Sequence, residues 1–205
     1  MAVGVTASLL LLSGCSNPIE ETETSLSDIE AQQEAAVQSF TQLADLESRL
    51  QSEFHTVLEE DEDLSTLADG SAEVHTTIEE RRETLGALTE TNGELRSRHE
   101  EMTQIDSGEI SEEALDGVLG SLESVAGSLD EFTSAYEAQL SSETSYFESL
   151  AQEDATYGTF REGIEAVNDE MEDIQALRVK LDEEFVALEA ACSTLSSQLE
   201  EKSDE

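Results

Sequence analysis

The chain has 205 residues, with 9 Lys and Arg against 50 Asp and Glu, a formal charge of -41 at neutral pH. Binding a phosphate backbone needs a basic footprint, so nucleic acid is excluded as a direct electrostatic partner. A single proline and no tryptophan fit long unbroken elements and argue against a many-stranded β domain.

Leu, Ile, Val and Phe make up about 23% of the chain, just above the roughly 20% below which high charge argues for disorder. Composition therefore leaves the choice between folded and disordered to the residue pattern. A fold with this charge repels itself and depends on solvent ions for screening. The acidity reads either as a solubility device for a salty exterior or as a polyanionic surface for cationic partners, with divalent cations gathered diffusely.

Residues 3–12 form an apolar run too short to span a bilayer, which takes about 20 residues, but suited to the core of a signal peptide. The run ends in Leu12-Ser13-Gly14-Cys15. This tetrapeptide resembles a bacterial lipobox: an aliphatic residue, two small residues, then the cysteine whose thiol takes the diacylglycerol. Met1-Ala2-Val3-Gly4-Val5 lacks the basic opening of a signal peptide, which places the expected true start upstream of Met1. Residues 1–14 are thus expected to be a lipoprotein signal peptide, with Cys15 acylated and the protein held on the outer face of the cytoplasmic membrane. Two or three acyl chains anchor stably where a single one is marginal. Residues 15–26, polar and acidic, are expected to form a tether. An extended stretch of that kind reaches about 35 Å from the lipid surface.

Residues 27–205 are expected to form a single helical-bundle domain. Ser27 and Glu30 make a capping-box pair at the expected start of the first helix. From there apolar residues recur at alternating steps of three and four. The first stripe holds Ile29, Ala36, Phe40, Leu43, Leu50, Phe54 and Val57, interrupted by Gln33 and Glu47, and the acidic run Glu59-Glu60-Asp61-Glu62-Asp63 ends it. The second holds Val74, Ile78, Leu85, Leu88, Leu95 and Met102, interrupted by Arg81, Asn92 and His99; Asp106-Ser107-Gly108 breaks it.

The third stripe runs from Leu115 through Leu122, Leu129, Tyr136 and Phe147 to Leu150, with Gly117, Gly120 and Gly127 weakening its start. The fourth runs from Phe160 through Ile174, Leu181 and Leu188 to Leu199, interrupted by Arg178 and capped by Thr156 or Thr159, the latter paired with Glu162. Cys192 lies on this stripe, which predicts a small buried hydrophobe. Sustained 3-4 spacing predicts an all-α fold, an elongated antiparallel bundle of about four long coiled-coil-like helices. Helices of about 33 to 43 residues would each be about 50 to 65 Å long. Polar residues on the stripes either fix helix register or sit at solvent-reachable edges.

A lipobox, a short acidic stretch and then only long amphipathic helices resemble the YkyA-type cell-wall-binding lipoproteins of Gram-positive bacteria. Residues 71–102 (SAEVHTTIEERRETLGALTETNGELRSRHEEM) and 144–174 (TSYFESLAQEDATYGTFREGIEAVNDEMEDI) carry the likeness best. The resemblance implies an envelope-bound lipoprotein and supplies no catalytic residues.

No motif for chemistry is complete. His99-Glu100-Glu101-Met102-Thr103 starts like a zinc-protease helix, but Thr103 stands where the second His is needed. Asp61 to Ser65 start like a calcium loop, but Thr66 replaces the turn glycine and Ala72 the bidentate Glu. No metal site, cofactor or catalytic residue is therefore expected. The leading expectation is a non-catalytic, lipid-anchored protein that binds or organises cell-wall or envelope components. The alternative is an adaptor or subunit of a membrane-bound envelope machine, acting through helix–helix contacts.

Overall fold

The computed structural model describes residues 17–106, 108 and 110–203; the lipobox and Cys15 lie outside the described residues. Among the described residues are five helices and no strand: α1 (Pro18–Glu60), α2 (Ser65–Ala68), α3 (Glu73–Met102), α4 (Glu112–Leu150) and α5 (Tyr157–Ser203). The protein is an all-α bundle. Its four long helices carry the four apolar stripes, and α2 is a single turn inserted between the first two.

Cross-helix contacts set the directions. Arg49 of α1 meets Glu80 of α3, while Asp28 of α1 lies 3.3 Å from Arg98 of α3. Arg81 and Arg96 of α3 meet Glu143 and Asp130 of α4. Ser142 and Glu131 of α4 bond to Glu170 and Lys180 of α5, at 2.9 Å each. In every pair one number rises as the other falls, so each long helix runs antiparallel to the next. At about 1.5 Å per residue, helices of this size make a bundle much longer than it is wide.

The expected acidic tether is corrected from Pro18 onward. Asn17 caps α1 by accepting a hydrogen bond from the Ile19 amide at 3.1 Å, and Pro18 occupies the first helical position. Proline's fixed φ suits that position, and Glu20 and Glu21 complement the positive end of the helix dipole. Residues 18–26 are therefore helix. Ser27 and Glu30 lie inside α1 rather than at its start.

The other boundaries follow the punctuation. The acidic run ends α1 at Glu60, and Asp61 turns its carboxylate onto α2, accepting from the Thr66 amide at 2.8 Å and the Thr66 hydroxyl at 2.6 Å. Those bonds hold the Asp61 carboxyl well below the usual range, at about 2. Leu64 supplies the left-handed turn, at φ 53°, that lets α2 begin. Thr156 and Thr159 bond each other's amides at 3.2 Å at the start of α5, so the capping pair is Thr156 with Thr159 rather than Thr159 with Glu162.

Two kinds of glycine predict opposite outcomes. A Cβ at Gly120 meets nothing within 4 Å, and the site faces solvent. Gly120→Ala is expected to raise stability by about 1 kcal/mol, the propensity difference in a helix interior. A Cβ at Gly163 falls 2.1 Å from the ring of buried Tyr146. This glycine lets the Tyr146 ring lie against the α5 backbone, where its hydroxyl bonds the Phe160 carbonyl at 3.3 Å. Gly163→Ala is expected to lower stability by about 1–3 kcal/mol through overpacking. Chemical unfolding of the two variants reads both signs.

Candidate functional site

The scarce basic residues are placed between helices. Arg49, Arg81, Arg82, Arg96, Arg98, Arg178 and Lys180 each reach a carboxylate on another helix. That is seven of the nine Lys and Arg in the chain. Most of these pairs are solvent-exposed and contribute little to stability. Two of them, Arg81–Glu143 and Arg178–Glu47, are joined through Tyr136.

Arg81 is fully buried, one of the largest side chains to be so among the described residues. Its guanidinium forks onto Glu143 of α4, with Nη2 donating to Oε1 at 3.2 Å, while Nε donates to the Tyr136 hydroxyl at 2.8 Å. Tyr136 passes its own proton donor to Glu47 of α1 at 2.9 Å, and Glu47 also faces Arg178 of α5 at 3.3 Å. Gln139 donates to Glu143 at 2.8 Å. Two guanidiniums thus balance two carboxylates across all four long helices.

Burial works to lower the Arg81 pKa, but Glu143 and Tyr136 overcome it, and the group stands above its ordinary value. Burial pushes the Tyr136 phenol up, against the opposing pull of Arg81. Neither group is placed to exchange protons near neutral pH. Asn92 is buried as well, bonding the Ala126 carbonyl at 3.1 Å and Asp130 at 2.6 Å. The polar residues on the α3 stripe therefore sort out as register-fixing contacts at Arg81 and Asn92, whereas His99 is half-buried near the end of α3.

The seam between α1 and α5 is built differently from the other three. On α1, Ile29, Ala36, Leu43, Leu50 and Val57 follow at seven-residue intervals and are buried. The alternate register on α1 is Gln33, Phe40, Glu47 and Phe54, all half-buried. On α5, Ile174, Leu181, Leu188 and Leu195 repeat every seven residues and are buried, while Met171, Arg178, Phe185 and Cys192 are half-buried. These two mixed registers face each other. Their polar members make the few cross-links: Gln33 to the Phe185 carbonyl at 3.2 Å, and Arg178 to Glu47 and to the Phe40 carbonyl at 3.3 Å.

Around the cross-links the seam opens. Towards the start of α1 a groove of about 980 Å³ runs from Glu23 to Gln38 on one side and from Asp182 to Ser196 on the other. Towards the end of α1 a smaller cavity of about 250 Å³ lies against Phe54, Ile164 and Met171, with Arg81 and Glu143 on its wall. Phe40 stands between them, edge-on to Phe132 at 5.1 Å and Phe185 at 6.5 Å.

The geometry can be set beside known proteins. A family model described as "putative cell-wall binding lipoprotein", YkyA, matches residues 17–198. The chain belongs to the YkyA family. The match covers the bundle from the Asn17 cap nearly to the end of α5, so the family relationship is carried by the helices described above. No curated protein and no solved structure matches the chain.

Within this member of the YkyA family, Cys192 departs from the sequence expectation. It is half-buried on the groove wall rather than enclosed in the core, and burial together with Glu30 pushes its thiol up to about 11. At neutral pH it stays protonated and poorly nucleophilic. His75 bonds the Leu67 carbonyl at 3.3 Å and His55 pairs along its own helix with Glu59 at 3.3 Å. Among the described residues no helix is long and apolar enough to cross a membrane, and no group of three or more His, Cys, Asp or Glu is placed to hold a metal ion.

Sequence reasoning missed the α1–α5 seam and Glu143. The signal for Glu143 was present: it stands at 3-4 spacing between Leu140 and Phe147, where an apolar residue belongs. An acid on one stripe and an Arg on its neighbour point to a buried pair.

Proposed function

We propose that this protein is a lipid-anchored, non-catalytic envelope protein, held by acylated Cys15 on the outer face of the cytoplasmic membrane, that binds or organises cell-wall or envelope components. The observation that carries this reading is the family match over the whole bundle. The non-catalytic part is supported by the buried polar cluster, whose two guanidiniums and two carboxylates balance, an arrangement suited to fixing helix register. The signal peptide, residues 1–14, and the lipobox Leu12-Ser13-Gly14-Cys15 are read from the sequence pattern.

Cys15→Ser tests the anchor. The variant is expected to lose fatty-acid labelling completely and to move from the membrane fraction to the soluble one. Labelling that survives the substitution would overturn the anchor, since only the thiol carries the thioether lipid.

The adaptor reading is favoured by one observation, the open α1–α5 groove with its apolar surface. Capture experiments separate the two. Purified wall retains the protein if it binds wall polymer, and a specific membrane protein is recovered if it acts as an adaptor. Because chain and anionic wall polymer carry the same sign, retention on wall is expected to need millimolar divalent cations and to fall in a chelator.

A further inference from the structure

We propose that the larger α1–α5 groove is a docking site for a basic amphipathic helix of an envelope protein. The inference rests on the envelope-binding reading, since it names what that surface takes. The groove carries apolar surface around the Gln33 cross-link: Leu26 and Phe185 lie in it, and Val37 and Val186 line its walls 56% and 59% exposed. Val37 and Val186 thus bring exposed apolar surface together on facing walls of one groove. The rims are acidic on both sides, with Glu30 and Glu34 on α1 and Asp182 and Glu189 on α5.

The occupant follows from shape and sign. Groove-facing positions recur at seven-residue intervals on both walls, Leu26 and Gln33 against Phe185 and Cys192, which is the spacing that accepts the side chains of another helix. Residues 23–38 of α1 give the groove a length of about 22 Å, four turns of helix. A second copy of this chain brings the same acid excess to the rims and is repelled, as is an anionic lipid surface. An amphipathic helix with an apolar stripe and flanking Lys or Arg satisfies both the apolar surface and the rims.

The test uses the purified full-length chain and an 18-residue Leu/Lys helix with leucines at 3-4 spacing, followed by fluorescence anisotropy in physiological salt. A scrambled peptide of identical composition controls for plain attraction to a polyanion. The striped peptide is expected to bind at least tenfold tighter than the scrambled one and to slow alkylation of Cys192 at least fivefold. Val37→Asn with Val186→Asn is expected to weaken binding about tenfold without a change of charge. Val179→Asn, on the same helix at 60% exposure and off the groove, leaves it unchanged. Equal binding of the two peptides, or an equal loss with Val179→Asn, would overturn the proposal. So would unaltered Cys192 alkylation in the presence of bound peptide. If the striped peptide fails while isolated envelope still retains the protein, the docking site falls and the envelope-binding reading stands.

Discussion

Arg81→Ala is expected to lower the stability of this bundle by about 3–5 kcal/mol, the cost of leaving a buried ion without its partner. The loss exceeds what the missing contacts alone would suggest. Removing the guanidinium strands the Glu143 carboxylate, whose side chain is 4% exposed, and takes the Nε donor away from Tyr136. It also enlarges the cavity on whose wall Arg81 lies. Replacing both partners with apolar residues removes the stranded charge along with the bridge, so Arg81→Met combined with Glu143→Leu is expected to recover at least half of the loss. Urea unfolding of the native chain, Arg81→Met, Glu143→Leu and the double variant completes the cycle, with Arg81→Ala measured beside it. A double variant as unstable as the sum of its parts would show that the pair contributes by packing alone. Against a typical domain stability of about 5–15 kcal/mol, the single loss is large enough to unfold part of the population.

The helices were legible because each buries a stripe, and a stripe needs only spacing and apolar type. The first nine residues of α1 were not, because the positions continuing its stripe are Thr22 and Ser25, both buried yet read as polar in sequence. Small hydroxyl residues can fill a core position when the hydroxyl bonds back to the helix, as Thr22 does to the Pro18 carbonyl at 2.7 Å. Helix α2 was missed for another reason: it depends on Leu64 in the left-handed region, a conformation that leucine does not advertise. The candidate site was the least legible part. Periodicity says that a position faces inward but not which neighbour it faces. Gln33, Glu47 and Arg178 read as isolated interruptions, and only the packing shows that all three belong to one seam.

The same seams govern how the protein responds to salt. Seven of the basic residues are bound to acids on neighbouring helices, and with only 9 Lys and Arg against 50 acids most carboxylates are left with other carboxylates as neighbours. Many stand one turn apart, such as Glu30 with Glu34, or Glu90 with Glu94. About a dozen like-charge pairs at this spacing, each opposing helix formation by about 0.2–0.5 kcal/mol, amount to several kcal/mol before repulsion between helices is added. Salt also weakens the exposed Arg–Glu bridges, but those contribute about 0–1 kcal/mol each and are far fewer than the acids. The buried Arg81–Glu143 pair is shielded from mobile ions and is largely unaffected. Repulsion therefore dominates the balance, and stability is expected to rise by several kcal/mol between about 10 mM and 1 M NaCl, as the Debye length falls from about 30 Å to 3 Å. Millimolar Ca²⁺ or Mg²⁺ is expected to achieve part of the same gain, because divalent ions accumulate more strongly around a polyanion. Thermal unfolding across NaCl and CaCl₂ series reads both effects, and a melting temperature indifferent to either salt would show that helix packing, rather than surface charge, limits the stability of this bundle.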